Sequence, residues 1–124
     1  MKLAPFIDYT DLRPTSGKKE ISRLCEEAVE YGFASVCINP CNVALVSEKL
    51  KGSGVKVCSV VGFPLGAGMP EVKAYEASRA CESGADEIDM VMNISKAKEG
   101  EFNYIKNEIR SVVDAVPECA VKVI

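Results

Sequence analysis

The sequence predicts an α/β protein whose strands form part of a (β/α)8 TIM barrel, about four βα units plus a fifth strand. Residues 1–124 are then the N-terminal portion of a single domain. Three observations carry this expectation. The hydrophobic period switches repeatedly between two and 3.6, the mark of alternating strands and helices. Four of the five strand segments pair an apolar face with a face that has polar members. The chain has 124 residues, whereas a whole barrel typically takes ~250 residues.

Taken in order, Phe6 to Thr10 reads as the first strand, with Ile7 and Tyr9 alternating with Asp8 and Thr10. Ile21, Leu24, Cys25, Ala28 and Val29 recur at i, i+3, i+4, i+7 and i+8, one face of a helix. Gly32 is its natural C-cap. Phe33 to Ile38 is the second strand, where Ala34, Val36 and Ile38 alternate with Ser35, Cys37 and Asn39. Asn39-Pro40 supplies a side-chain cap and a proline at the first helical position, opening a helix to about Leu50.

Val55 to Val61 is a valine-rich strand, and the loop GFPLGAG follows it. Pro70 opens a helix that stops at Gly84. DEIDMVMN, Asp86 to Asn93, is the fourth strand: Ile88, Met90 and Met92 are apolar, and Glu87, Asp89 and Asn93 are polar. Phe102, Ile105, Ile109, Val112 and Val113 mark a last helix ending before Pro117, and CAVKVI closes the sequence as a strand.

The alternation favours a barrel over a doubly wound open sheet. In an open sheet helices cover both faces, so the contrast between faces is weak. In a barrel one face meets helices and the other lines the interior, where polar groups collect near the strands' C-terminal ends. A faint echo supports a repeated unit. Cys37 lies five positions after the helix-ending Gly32, and Asp89 lies five positions after Gly84.

A net charge of −3 gives no basic field, so nucleic acid is not an expected partner. No apolar stretch approaches the ~20 residues of a membrane span, and MKLAPFIDYT lacks a signal-peptide pattern. A cytoplasmic protein with reduced thiols is therefore expected from the six cysteines. With no histidine and no CxxC pair, neither a metal site nor a cofactor is expected. GFPLGAG is neither GxxxxGK[ST] nor GxGxxG and has no lysine to reach a phosphate. It reads as a tight loop at the rim of the active-site face.

Several segments together resemble the deoxyribose-phosphate aldolase family in order and spacing, from about residue 7 to the last. They are Ile7-Asp8-Tyr9-Thr10, Phe33 to Pro40, Val60 to Gly66, Glu71-Val72-Lys73-Ala74, Gly84 to Val91 and Val121 to Ile124. Tyr9 departs from the histidine common in the family, at a position that alternation turns away from the interior. The resemblance implies a metal-free class I cleavage of 2-deoxyribose 5-phosphate to glyceraldehyde 3-phosphate and acetaldehyde. A protonated lysine imine accepts the electrons of the breaking C–C bond, and a positioned acid/base group moves the protons.

By resemblance Asp89 matches the proton donor/acceptor, Lys122 a site-lining lysine that does not form the imine, and Cys37 a cysteine open to attack by reactive aldehydes. The alternation independently turns all three inward. Asp8 and Thr10 share the inner face of the first strand and are expected to line the site. Glu87 is expected to partner an interior cation. Asn93, near the end of its strand, is expected to contact substrate. The resemblance places the imine-forming lysine and the phosphate site beyond Ile124. The expectation is thus a fragment of a longer aldolase or a half-barrel that assembles as a homo-oligomer. The alternatives are a non-catalytic half-barrel acting in binding or assembly and, less well matched, a flavodoxin-like binding domain.

Overall fold

Five parallel strands lie side by side in chain order, β1-β2-β3-β4-β5, with no reversal. The computed structural model describes residues 1–124. The strands are β1 (Asp8–Asp11), β2 (Ser35–Ile38), β3 (Lys56–Val61), β4 (Glu87–Met90) and β5 (Ala120–Val123). Doubly wound sheets reverse their order at a switch point; this sheet does not, so it is a segment of a barrel wall.

The helices are α1 (Lys18–Tyr31), α2 (Val43–Leu50), α3 (Pro70–Glu82), α4 (Ile94–Lys98) and α5 (Phe102–Ala115). None is long and apolar enough to cross a membrane. Helix α1 starts where Glu20 accepts a hydrogen bond from the Gly17 amide at 2.9 Å. It stops at Gly32, whose φ of 68° is left-handed, a conformation glycine adopts without steric cost. Proline opens α3, with acidic Glu71 in its first turn and Arg79 in its last, both matched to the helix dipole.

The main core lies between the sheet and the helices. Ile21, Leu24, Cys25 and Ala28 of α1 and Val43, Val46 and Leu50 of α2 pack on Val36, Ile38, Val57 and Val61. Ala77 and Ala80 of α3 and Val112 of α5 complete it beside Ile88 and Met90. Burying each valine, leucine, isoleucine or methionine side chain of this core contributes about 1.5–3 kcal/mol. A smaller cluster of Cys37, Cys58 and Val60 occupies the other face of the sheet, with Leu12 against it.

Four local expectations change. Residues Ala4–Phe6 form a 3-10 turn, so β1 begins at Asp8 and not Phe6. The helix opened by Asn39-Pro40 is split, a 3-10 turn over Pro40–Asn42 preceding α2. Helix α4 was not expected, being too short to show a period. Finally, reduced thiols are found at Cys25, Cys37, Cys41 and Cys58, but Cys81 and Cys119 are joined as a disulfide with Cα atoms 6.9 Å apart. The end of α3 and the entry to β5 converge beside Ala85, whose carbonyl oxygen lies 3.3 Å from Cys119 Sγ. Such proximity in space leaves no mark on sequence periodicity.

Candidate active site

The pairing register assigns every strand side chain to a face. Asp8 is opposite Ser35 and Thr10 opposite Cys37; Cys37 is opposite Cys58; Cys58 is opposite Glu87 and Val60 opposite Asp89; Asp89 is opposite Lys122. Side chains alternate along a strand, so all of these share the face turned away from the main core.

Lys122 is the hub of that face. Its Nζ donates to Asp8 Oδ2 at 3.0 Å and lies 2.9 Å from Glu87 Oε2 and 3.2 Å from Asp89 Oδ1. Asp8 and Lys122 stand on the two edge strands. Four strand spacings of ~4.8 Å would set those strands about 19 Å apart in a flat sheet. Contact between the two side chains requires the wall to curl, so this ion pair spans the interior of a half-barrel.

The electrostatics follow from that geometry. Burial alone would lower the Lys122 pKa, but hydrogen bonds to Glu87 and Asp8 and the neighbouring Asp89 carboxylate outweigh it, and the pKa is raised. Burial likewise pushes the Asp8 carboxyl up, and the Ser35 hydroxyl with Lys122 outweighs it, leaving the pKa lowered. The Ser35 hydroxyl donates to Asp8 Oδ1 at 2.6 Å. Both members of the cross-barrel pair are therefore charged at neutral pH.

Asp89 differs from Asp8. Its side chain is 15% exposed, and its buried Oδ1 has the Lys122 ammonium 3.2 Å away as its neighbour. Oδ2 faces Cys37, whose Sγ donates at 3.9 Å, the weak end of such contacts. A buried carboxylate whose neighbours are one ammonium and one distant thiol has acceptor capacity left to offer a proton-bearing group. Cys37 has a lowered pKa, chiefly through the hydrogen bond from the Cys58 thiol, whose own pKa is raised by the same contact and by burial.

Asp89, Lys122, Asp8 and Cys37 thus converge, with Glu87 as the cation's partner. Thr10 shares the face, but its hydroxyl donates to the Asp8 carbonyl at 2.9 Å. Asn93 lies beyond the end of β4, and its Oδ1 caps α4, accepting from the Lys96 amide at 3.1 Å and the Ser95 hydroxyl at 2.9 Å.

Two features escaped the sequence reading. Cys58 sits in β3, where Val57 to Val61 are all buried, so no alternation distinguishes its faces. The other is a fully buried ion pair, Lys73 with Glu108, at 2.5 Å. Lys73 Nζ also donates to the carbonyls of Gly66 at 2.6 Å and Val91 at 2.9 Å, while Glu108 Oε2 accepts from the Asn93 amide at 3.0 Å. The pair clamps the loop after β3 to the end of β4, so the GFPLGAG loop does meet a lysine, as a buttress. A signal existed: Lys73 shares the buried stripe of α3 with Ala77 and Ala80, and Glu108 shares that of α5 with Val112.

A sequence model of the DeoC/LacD family aldolases matches residues 6–124. A deoxyribose-phosphate aldolase of Caldanaerobacter subterraneus subsp. tengcongensis is 60% identical over 116 residues, which are 94% of this chain and 50% of that protein. The chain spans about half the length of the curated relatives it matches. Among solved structures, the aldolase QR15 superposes with a TM-score of 0.93 at 35% identity, covering 99% of this chain and 55% of that one. The tetrameric deoxyribose phosphate aldolase of Aeropyrum pernix gives a TM-score of 0.87 at 37% identity, covering 98% and 51%.

Proposed function

Because this chain belongs to the DeoC/LacD aldolase family, its sequence matching from residue 6 to residue 124, we propose that it supplies the proton-transfer side of a class I aldolase site. The reaction is cleavage of 2-deoxyribose 5-phosphate to glyceraldehyde 3-phosphate and acetaldehyde. The observation that carries this reading is Asp89: a buried carboxylate oxygen 3.2 Å from a charged lysine.

In this reading the substrate aldehyde condenses with a lysine carried outside residues 1–124. The carbinolamine hydroxyl takes a proton and leaves as water, giving the protonated imine. The substrate's C3 hydroxyl then loses its proton, the C2–C3 bond breaks, and its electron pair passes into the imine to give an enamine. Protonation of the enamine carbon and hydrolysis release acetaldehyde. Asp89 relays these protons. Lys122 cannot be the imine former while three carboxylates hold it charged, since only a neutral amine attacks a carbonyl. It keeps Asp89 placed, its ammonium 3.2 Å from the Asp89 carboxylate. Asp8 and Ser35 hold Lys122 in turn, and Cys37, Thr10 and Asn93 line or border the same chamber.

Self-association and residence in the cytoplasm belong to the same reading. The first is supported by the open edges of β1 and β5 and by exposed Val123 and Ile124. The second is supported by the four free thiols, with the Cys81–Cys119 disulfide weighing against it.

The test is borohydride reduction with acetaldehyde, on this chain paired with the C-terminal half of the Caldanaerobacter relative. Mass spectrometry is expected to find the reduced adduct on a lysine of the added half and none on Lys122. An adduct on Lys122 would overturn the division of roles.

A further inference from the structure

Cys37 and Cys58 are register partners on adjacent strands, and Asp89 on the next strand closes a triangle with them. The two sulfurs and a carboxylate oxygen all lie within 4.8 Å of one another. Both cysteines are buried, and neither takes part in the disulfide. We propose that Cys37, Cys58 and Asp89 form a binding site for a zinc-class divalent ion, with its fourth position open to the barrel interior, and that the bound ion inhibits the enzyme.

The ligand set selects the ion. Two sulfurs favour zinc and softer ions over magnesium or calcium, and a carboxylate oxygen completes a mixed set that zinc accepts. The geometry is close to what is required. Tetrahedral Zn–S bonds of ~2.3 Å set two sulfurs about 3.8 Å apart and a sulfur and an oxygen about 3.5 Å apart. Cys37 Sγ already lies 3.9 Å from Asp89 Oδ2, so small rotations about the cysteine χ1 bonds close the triangle. Packing alone would explain why the two thiols are buried. It would not explain why both converge on a carboxylate.

Charge favours a cation here. Asp8, Glu87 and Asp89 put three carboxylates around the single ammonium of Lys122, so two negative charges stand in excess before either thiol ionises. Lys122 opposes a neighbouring cation, but it sits on Asp89 Oδ1 and leaves Oδ2, the oxygen facing Cys37, for the metal. Binding exchanges the two thiol protons, released to water, for two sulfur–metal bonds, with no change of oxidation state. Three protein ligands with an open fourth position make an exchangeable site, not a structural one.

Binding stands independently of the aldolase reading. Only its consequence, the loss of Asp89 as a proton relay, rests on that reading. The probe is Co2+, whose bonds to thiolate give a near-ultraviolet charge-transfer band. The reduced chain is expected to develop that band, to saturate at a single ion per chain, and to lose the band when Zn2+ is added. Cys58→Ala should abolish it, whereas Cys41→Ala, at an exposed cysteine elsewhere, should leave it unchanged. If circular dichroism finds Cys58→Ala unfolded, Cys37→Ala provides the same comparison.

A folded wild-type chain with no band, or a band that survives loss of either proposed thiol, would overturn the site. In the paired, active protein, Zn2+ should suppress cleavage, a chelator should restore it, and Cys58→Ala should resist. A band without any aldolase activity would support the metal site and count against the aldolase reading alone.

Discussion

Lys122 carries its charge because burial, which opposes it, is outweighed by the carboxylates gathered around it, and Asp8 is ionised for the complementary reason. The two shifts set opposite ends of a pH window. Asp8 titrates below its ordinary 3.8 in the fold, so its contribution is present above that pH and disappears as pH falls through the lower folded value. Lys122 titrates above its ordinary 10.5, so its contribution is present below that pH and disappears as pH rises through the higher folded value. Denaturation midpoints measured across pH should form a plateau between these limits and fall on both sides. In Lys122→Met the alkaline fall attributable to this residue should vanish; an unchanged profile would show that the ion pair does not stabilise the fold. Asp8, Cys37, Asp89 and Lys122 were legible as interior residues because parity along a strand decides which face a side chain takes. That rule ends with the strand. Asn93 lies past Met90, so its amide answers to α4 and not to the pleat. Cys58 was invisible for a different reason, its strand being buried on both faces.

At the scale of elements, the Lys73–Glu108 pair ties α3, α5, the loop after β3 and the end of β4 together. Removing one partner leaves a buried, uncompensated charge. Lys73→Met or Glu108→Leu should each destabilise by about 3–5 kcal/mol, while the two changes together should cost less than the sum of the single changes. Urea denaturation of the four proteins measures this, and additive losses would contradict a coupled clamp. Gly66 is the loop's fixed point: its φ is +64°, and a Cβ there would collide with the Met92 carbonyl oxygen. Gly66→Ala should therefore lose more than the ~1–2 kcal/mol of a left-handed alanine. Helices α1 and α5 were legible because an amphipathic period repeats over their length, and α3 because Pro70 and Gly84 bound it. The five residues of α4 are too few to repeat one, and the clamp lay hidden as charges on apolar stripes.

At the scale of the molecule, the sheet presents an unreversed strand order, a curl set by the Asp8–Lys122 contact, and two open edges. Alternation between faces distinguished this wall from an open doubly wound sheet, because a barrel interior tolerates polar side chains that a second helical layer would not. The disulfide and the reach of Lys122 across the interior were not legible, since both depend on distances between elements far apart in the chain. Open edges and an uncovered polar face invite association. The chain alone should self-associate or gain stability when the C-terminal half of a relative is added; a monodisperse monomer with one cooperative melt, unaffected by that addition, would contradict this. The central claim concerns Asp89, and it is tested most directly by the rate of 2-deoxyribose 5-phosphate cleavage in the paired protein with and without Asp89→Asn. The account predicts a loss of roughly 10²–10⁴-fold with the fold intact. Cleavage at the wild-type rate in that variant would contradict it.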